Sequence, residues 1–288
     1  MYRKYSLVIF LIWSSVLISQ NKTAVELFPA GLHFLPLKAN NQEARIGILY
    51  YPENASLKVD VGNTIDLIAI HFDDSKSKLS FGIEFMAYAL STSFEGKRLQ
   101  IDALDGFFGG NAVFSRKNID NIIYLRFRFI HNSAHLVDGS FLKKENRWKN
   151  DLFPIPYTKD FGELTIARKH TISNIALRYN VGFAYAALVR PLELEKFSMS
   201  TGFEIAFKNV FGKIFNRENS LFFADQLSFE GTPKYIGSNN LIGGIKFGDW
   251  DSKGVIFYLS YYSGRNMFSE YYYERISKFG IGFFIDFI

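Results

Sequence analysis

An all-β fold, a transmembrane antiparallel up-and-down β-barrel of about twelve strands, is what this sequence predicts, and three observations predict it. Apolar and polar residues alternate with period two along most of the chain beyond residue 42, and helical periodicity appears nowhere at comparable strength. The alternating segments are about 9–15 residues long, which suits tilted strands crossing a bilayer and exceeds the usual ~5–6 of a soluble sheet. Aromatic residues are abundant, with 31 Phe, 16 Tyr and 3 Trp making 17% of 288 residues. Mean hydropathy is nevertheless only +0.01 and 21% of residues are charged, so the apolar surface is large but dispersed.

The same composition excludes several classes. Aromatics at this density would collapse a disordered chain. Beyond the N-terminus no apolar run approaches the ~18 residues of a membrane-spanning helix. With no cysteine, neither disulfides nor a thiolate metal site can form. A net charge of +5, without a basic block, gives no case for nucleic acid.

Taken in order, the chain opens with Arg3 and Lys4 before the apolar run Ser6 to Ile18, then Ser19 and Gln20. This is the pattern of a cleaved secretory signal over residues 1–19, too short for a spanning helix. Residues 20–42 read as an N-terminal periplasmic segment, and the barrel as 43–288. Twelve strands are expected near 43–51, 63–72, 78–89, 99–114, 121–136, 161–169, 174–187, 197–208, 219–229, 239–248, 254–263 and 276–287, with ten to fourteen still compatible. An even number places both ends in the periplasm, short turns on that side and the longer loops, such as 137–160, outside. Each strand has a greasy parity. Leu125, Phe127 and Phe129 alternate with Tyr124, Arg126 and Arg128, and Phe279, Ile281, Phe283 and Ile285 with Lys278, Gly280, Gly282 and Phe284. The apolar parity should face lipid and the other the lumen. Arginine at Phe127 or Phe129 should then cost ~2–4 kcal/mol near the midplane, and at Ile130 less. Inside, Arg126, Arg128 and Arg178 should meet Glu84, Asp102 and Glu204, either as a plugging ion-pair network or as an anion-selective lumen.

One strand carries possible chemistry. After Phe129 the outward parity of the fifth strand continues with His131, Ser133 and His135, at the end nearest the outer leaflet. A His and a Ser two apart share a face ~7 Å apart along a strand, so the imidazole can lean toward the hydroxyl as general base. The plainer alternative is the polar girdle with which every barrel strand ends. For an orienting acid, pairing the fourth and fifth strands about the turn at 116–120, with positions summing to 236, puts Asp105 beside His131. A one-residue slip would turn Asp105 inward.

Two resemblances bear on this strand. Gly82-Ile83-Glu84, Asp102-Ala103 and above all Arg126-x-Arg128-x-x-His131-Asn132-Ser133-Ala134-His135-Leu136-Val137-Asp138 resemble an uncharacterised bacterial family, domain of unknown function 1207. The chain departs from that pattern at Ala134, Val137 and Gly139, and the family implies no activity. Locally, His131-x-Ser133 is similar to the His-x-Ser of outer-membrane phospholipase A and lipid A deacylase barrels. That similarity implies a lipid-facing acyl-ester hydrolase with Ser133 as nucleophile, His131 as base and His135 as accessory. Those enzymes follow Ser with Asn, whereas this chain has Ala134. They also place a third residue downstream of the Ser, which here points to Glu145 as the alternative to Asp105. Glu145 otherwise reads as a solvated loop residue among Lys143, Lys144, Arg147 and Lys149. The C-terminus, with Phe287 penultimate and Ile288 last, resembles the aromatic signal read by the outer-membrane assembly machinery.

The expectation is therefore a bacterial outer-membrane barrel. It is either a lipid or lipid A acyl-ester hydrolase on the outer wall or a non-enzymatic structural barrel or narrow transporter. Its partners would be outer-membrane lipids, lipopolysaccharide and the assembly machinery. No cofactor is implied, calcium is not indicated, and monomer and homodimer are both open.

Overall fold

The computed structural model describes residues 23–287 apart from 75, 95–97, 215, 232 and 233. The expected signal segment and Ile288 lie outside the described residues. The strands are β1 (Ala24–Leu27), β2 (Ile46–Tyr51), β3 (Ser56–His71), β4 (Ser77–Phe94), β5 (Arg98–Lys117), β6 (Asn121–Leu136) and the small hairpin β7 (Phe141–Leu142) and β8 (Arg147–Trp148). They continue as β9 (Tyr157–Ile172), β10 (Ile175–Arg190), β11 (Phe197–Lys208), β12 (Asn219–Gly231), β13 (Tyr235–Phe247), β14 (Gly254–Arg265) and β15 (Arg275–Asp286). Without β1 and the small hairpin, twelve strands pair antiparallel in chain order. The ring closes where β15 pairs with β2, Ile281 opposite Tyr50 through Ile285 opposite Ile46. Closure removes the unpaired edge that lipid would punish.

Each expected strand is present, and several run further than the alternation suggested. β3 starts at Ser56, β4 reaches Phe94 and β13 starts at Tyr235, each beyond its expected bound. Parity holds. Phe85, Phe108, Phe127, Phe129, Phe257 and Ile281 project from the outer wall, while Arg126, Arg128, Glu84 and Glu204 are buried inside. This greasy belt around a polar interior is the surface of a membrane-spanning barrel. Ile130 needs a correction. It is only 2% exposed and packed in the lumen core, with Gly109 so close that a Cβ there would meet the Phe129 carbonyl. Arginine at Ile130 would therefore meet packed side chains rather than a roomy polar interior, and the mildness expected there does not hold.

The largest departure lies before the barrel. Residues 24–42 are not a separate periplasmic segment. β1 pairs with the far end of β3, Ala24 opposite His71 through Leu27 opposite Ile68. The chain then leaves the wall and rejoins it at Ile46. Local chemistry explains the exit: Phe28 and Gly31 have positive φ, and Pro29 has no N–H to give to a ladder. Residues 28–45 form a plug inside the lumen, where Phe34, Leu37, Lys38, Ala39 and Glu43 are buried.

The plug is held by the lumen charges. Arg126 grips Glu43 with two bonds of 2.6 and 2.9 Å. Arg128 reaches the Gln42 carbonyl at 3.0 Å and Glu163 at 2.9 Å. Arg178 pairs with Glu204 at 2.7 Å and donates to the Leu35 and Pro36 carbonyls at 2.7 and 2.9 Å. Lys38 joins Asp286 at 2.8 Å, tying the plug to the last strand. The expected network thus exists, with Glu43 and Glu163 added. Asp102 is the exception, since it pairs with Lys149 at 3.1 Å instead. At the other end, residues 266–274 fold back into the barrel mouth. There Met267, Phe268 and Tyr271 are buried, and Tyr88 Oη donates to the Met267 carbonyl at 2.8 Å.

Candidate active site

On the outer wall, β5, β6 and β9 lie side by side. β6 presents Phe129, His131, Ser133 and His135 outward, because odd positions there face away from the buried Arg128, Ile130, Asn132 and Ala134. On β5 the register sets Phe108 opposite His131 and Gly106 opposite Ser133. On β9 it sets Asp160 opposite His131 and Thr158 opposite Ser133.

Asp160 is the partner that the sequence reading missed. Its Oδ1 lies 2.5 Å from His131 Nδ1, with both side chains about one-third exposed or less, at 28% and 33%. A carboxylate at this distance fixes the Nδ1–H tautomer and leaves Nε2 as the basic nitrogen. The Phe108 ring lies on the imidazole, with centroids 4.8 Å apart, and restrains it from the other strand. Ser133 faces open space over Gly106, where even a Cβ would come no closer than 3.9 Å to the hydroxyl. Among the described residues no hydrogen bond joins His131 to Ser133. The residue between them, Asn132, points inward and donates to the Gly106 carbonyl at 3.2 Å.

Neither expected third member reaches the pair. Paired positions on β5 and β6 sum to 239, because the turn is confined to 118–120, three residues from the expected 236. That odd shift flips parity. Asp105 sits opposite Ala134 and is fully buried in the lumen, where both its carboxylate oxygens accept from the Ser269 amide at 3.1 and 3.2 Å. Glu145 stays in the outer loop and pairs with Arg147 at 2.6 Å, half exposed. His135 is exposed on the outer face opposite Leu104, one residue beyond the last paired residue of β6 and β9, and its ring makes no hydrogen bond among the described residues. The signal for Asp160 was weak, since the outward residues Thr158, Asp160 and Gly162 lack the apolar parity that marks a strand.

No protein-family model and no curated protein matches the chain. Among solved structures, the chain is similar to the β domain of the Bordetella autotransporter BrkA, with 10% identity, 84% of this chain and 96% of that one covered, and a TM-score of 0.41. The Pseudomonas putida toluene transporter TodX gives 11% identity, coverage of 91% and 76%, and a TM-score of 0.42. OmpT of Vibrio cholerae gives 10% identity, coverage of 93% and 98%, and a TM-score of 0.41. At these identities and scores the likenesses say nothing about chemistry.

Proposed function

We propose that this barrel resides in the bacterial outer membrane and hydrolyses acyl esters of membrane lipid, phospholipid or lipid A, from its outer wall. The observation that carries the reading is the Asp160–His131 pair beside Ser133 on a face otherwise given to lipid contact. Ionisable groups on such a face are costly, and a function is the ordinary reason to keep them. In the proposed reaction His131 Nε2 takes the Ser133 proton as Oγ attacks the ester carbonyl. The imidazolium, steadied by Asp160, then protonates the departing alcohol, and water activated by the same base releases the fatty acid. For this step the Ser133 hydroxyl must swing to Nε2, a closure that catalytic hydrogen bonds often complete only with substrate present.

The resemblance to outer-membrane phospholipase A and lipid A deacylase supports the same assignment of His131 and Ser133, with Asp160 in place of Asp105 or Glu145. A barrel without chemistry is the competing reading, favoured by the missing His131–Ser133 hydrogen bond. A narrow open transporter fits less well with a lumen filled by residues 28–45.

Fatty-acid release from phospholipid or lipid A vesicles by the purified protein, with and without calcium, tests the proposal. Wild type should release acid and Ser133→Ala should not, although both migrate as folded, heat-modifiable barrels. A wild type silent on both lipids would leave the structural barrel.

A further inference from the structure

Between the plug and the infolded loop 266–274 lies a chamber of about 80 Å³ in the upper lumen. This is room for roughly half a dozen waters. Its lining is ordered by register. Across four adjoining strands, β10 to β13, Gly182, Ser200, Ser228 and Ser238 stand directly opposite one another in one row. Two residues further along, Asn180, Gly202, Gln226 and Asn240 form a second row. Of these, Gly182, Ser200, Ser228, Ser238, Gln226 and Asn240 line the chamber, so one side offers hydroxyls beside carboxamides, with no charge in either row.

The amide row is pre-set. Asn180 and Gln226 bond reciprocally at 3.4 Å, and Asn240 donates to the Ala39 carbonyl of the plug at 2.7 Å while accepting from Ser260 at 3.1 Å. In the hydroxyl row Ser238 is engaged, accepting from the Arg265 amide at 3.0 Å, and the other two serines are open. Ser200 and Ser228 make no side-chain hydrogen bond to protein among the described residues, and the Ser200 hydroxyl sits over Gly182, where a Cβ would stand only 2.7 Å from it. Across the chamber the charges are already matched, with Glu230 lying 2.8 Å from Arg265 and 3.6 Å from Lys159. Tyr88, Phe161 and Tyr262 add aromatic surface.

Free hydroxyls, fixed amides, aromatic surface and satisfied charges match a molecule that both donates and accepts hydrogen bonds, carries no charge and has apolar C–H faces. We propose that this chamber is a binding site for a neutral polyhydroxylated solute of about monosaccharide size. The site is independent of the outer-wall chemistry, and either can fail alone.

Calorimetric titration of the purified full-length barrel with glucose, and with gluconate as the charged comparator, tests this. Saturable glucose binding is expected, with gluconate at least tenfold weaker. Ser200→Leu and Ser228→Leu should each weaken glucose at least tenfold while keeping heat-modifiable mobility, because leucine fills the chamber and removes a hydroxyl. Absence of saturable binding in wild type, equal affinity for gluconate, or undiminished binding in a folded leucine variant would each overturn the proposal.

Discussion

Asp160→Asn is expected to lower fatty-acid release by up to ~10⁴ without unfolding the barrel. Asp160 accepts from His131 Nδ1, which leaves Nε2 free to take a proton. An asparagine amide can instead donate to Nδ1, placing the ring proton on Nε2, where it cannot act as base. Loss of the carboxylate also leaves the imidazolium of the reaction unsupported. Asp105→Asn should leave turnover per folded molecule unchanged, since that carboxylate is on the lumen side with Ser269. Glu145→Gln should do nothing beyond breaking an exposed pair with Arg147, worth little. Steady-state rates on one lipid substrate, normalised to heat-modifiable protein, separate the three. An Asp105 effect exceeding the Asp160 effect would return the orienting role to the lumen side and contradict the geometry.

Glu43→Ala should have the largest effect on the barrel itself. Glu43 is 2% exposed and is the plug's main anchor on Arg126, with Arg128 4.0 Å away. Removing one partner of a buried ion pair typically costs about 3–5 kcal/mol, because the remaining charge is left poorly compensated. Part of that cost falls on the plug, so wild type should be silent in planar bilayers while Glu43→Ala shows channel openings. Its denaturant midpoint should fall as well. Unchanged midpoint and silence in Glu43→Ala would mean that the remaining plug contacts, those to Arg128, Arg178, Asn240 and Asp286, hold it without the Glu43 pair.

What was legible in the sequence follows from what period two can report. Every barrel strand announced itself through one greasy parity, and so did the direction of Arg126, Arg128, His131 and Ser133. Where the outward residues stop being apolar, the signal fades. The outer end of β9 was read as loop because Thr158, Asp160 and Gly162 are small or polar, which hid the one acid that reaches His131. Register is a second blind spot. A pairing shifted by three residues from the expected register, which moves the turn's centre by only one and a half, takes Asp105 from the lipid side to the lumen, and alternation alone cannot fix a turn's centre. The plug has no period at all, as a prolyl, irregular segment whose structure comes from the arginines that receive it.

The measurement that bears most directly on the central claim is covalent capture of the proposed nucleophile. A lipophilic fluorophosphonate, incubated with the folded barrel in lipid and followed by peptide mass spectrometry, should modify Ser133. Labelling should fall sharply in His131→Ala, because a serine at its free pKa is a weak nucleophile without a base. Modification of other serines with Ser133 untouched, or Ser133 labelling that is indifferent to His131, would contradict a hydrolytic site on the outer wall.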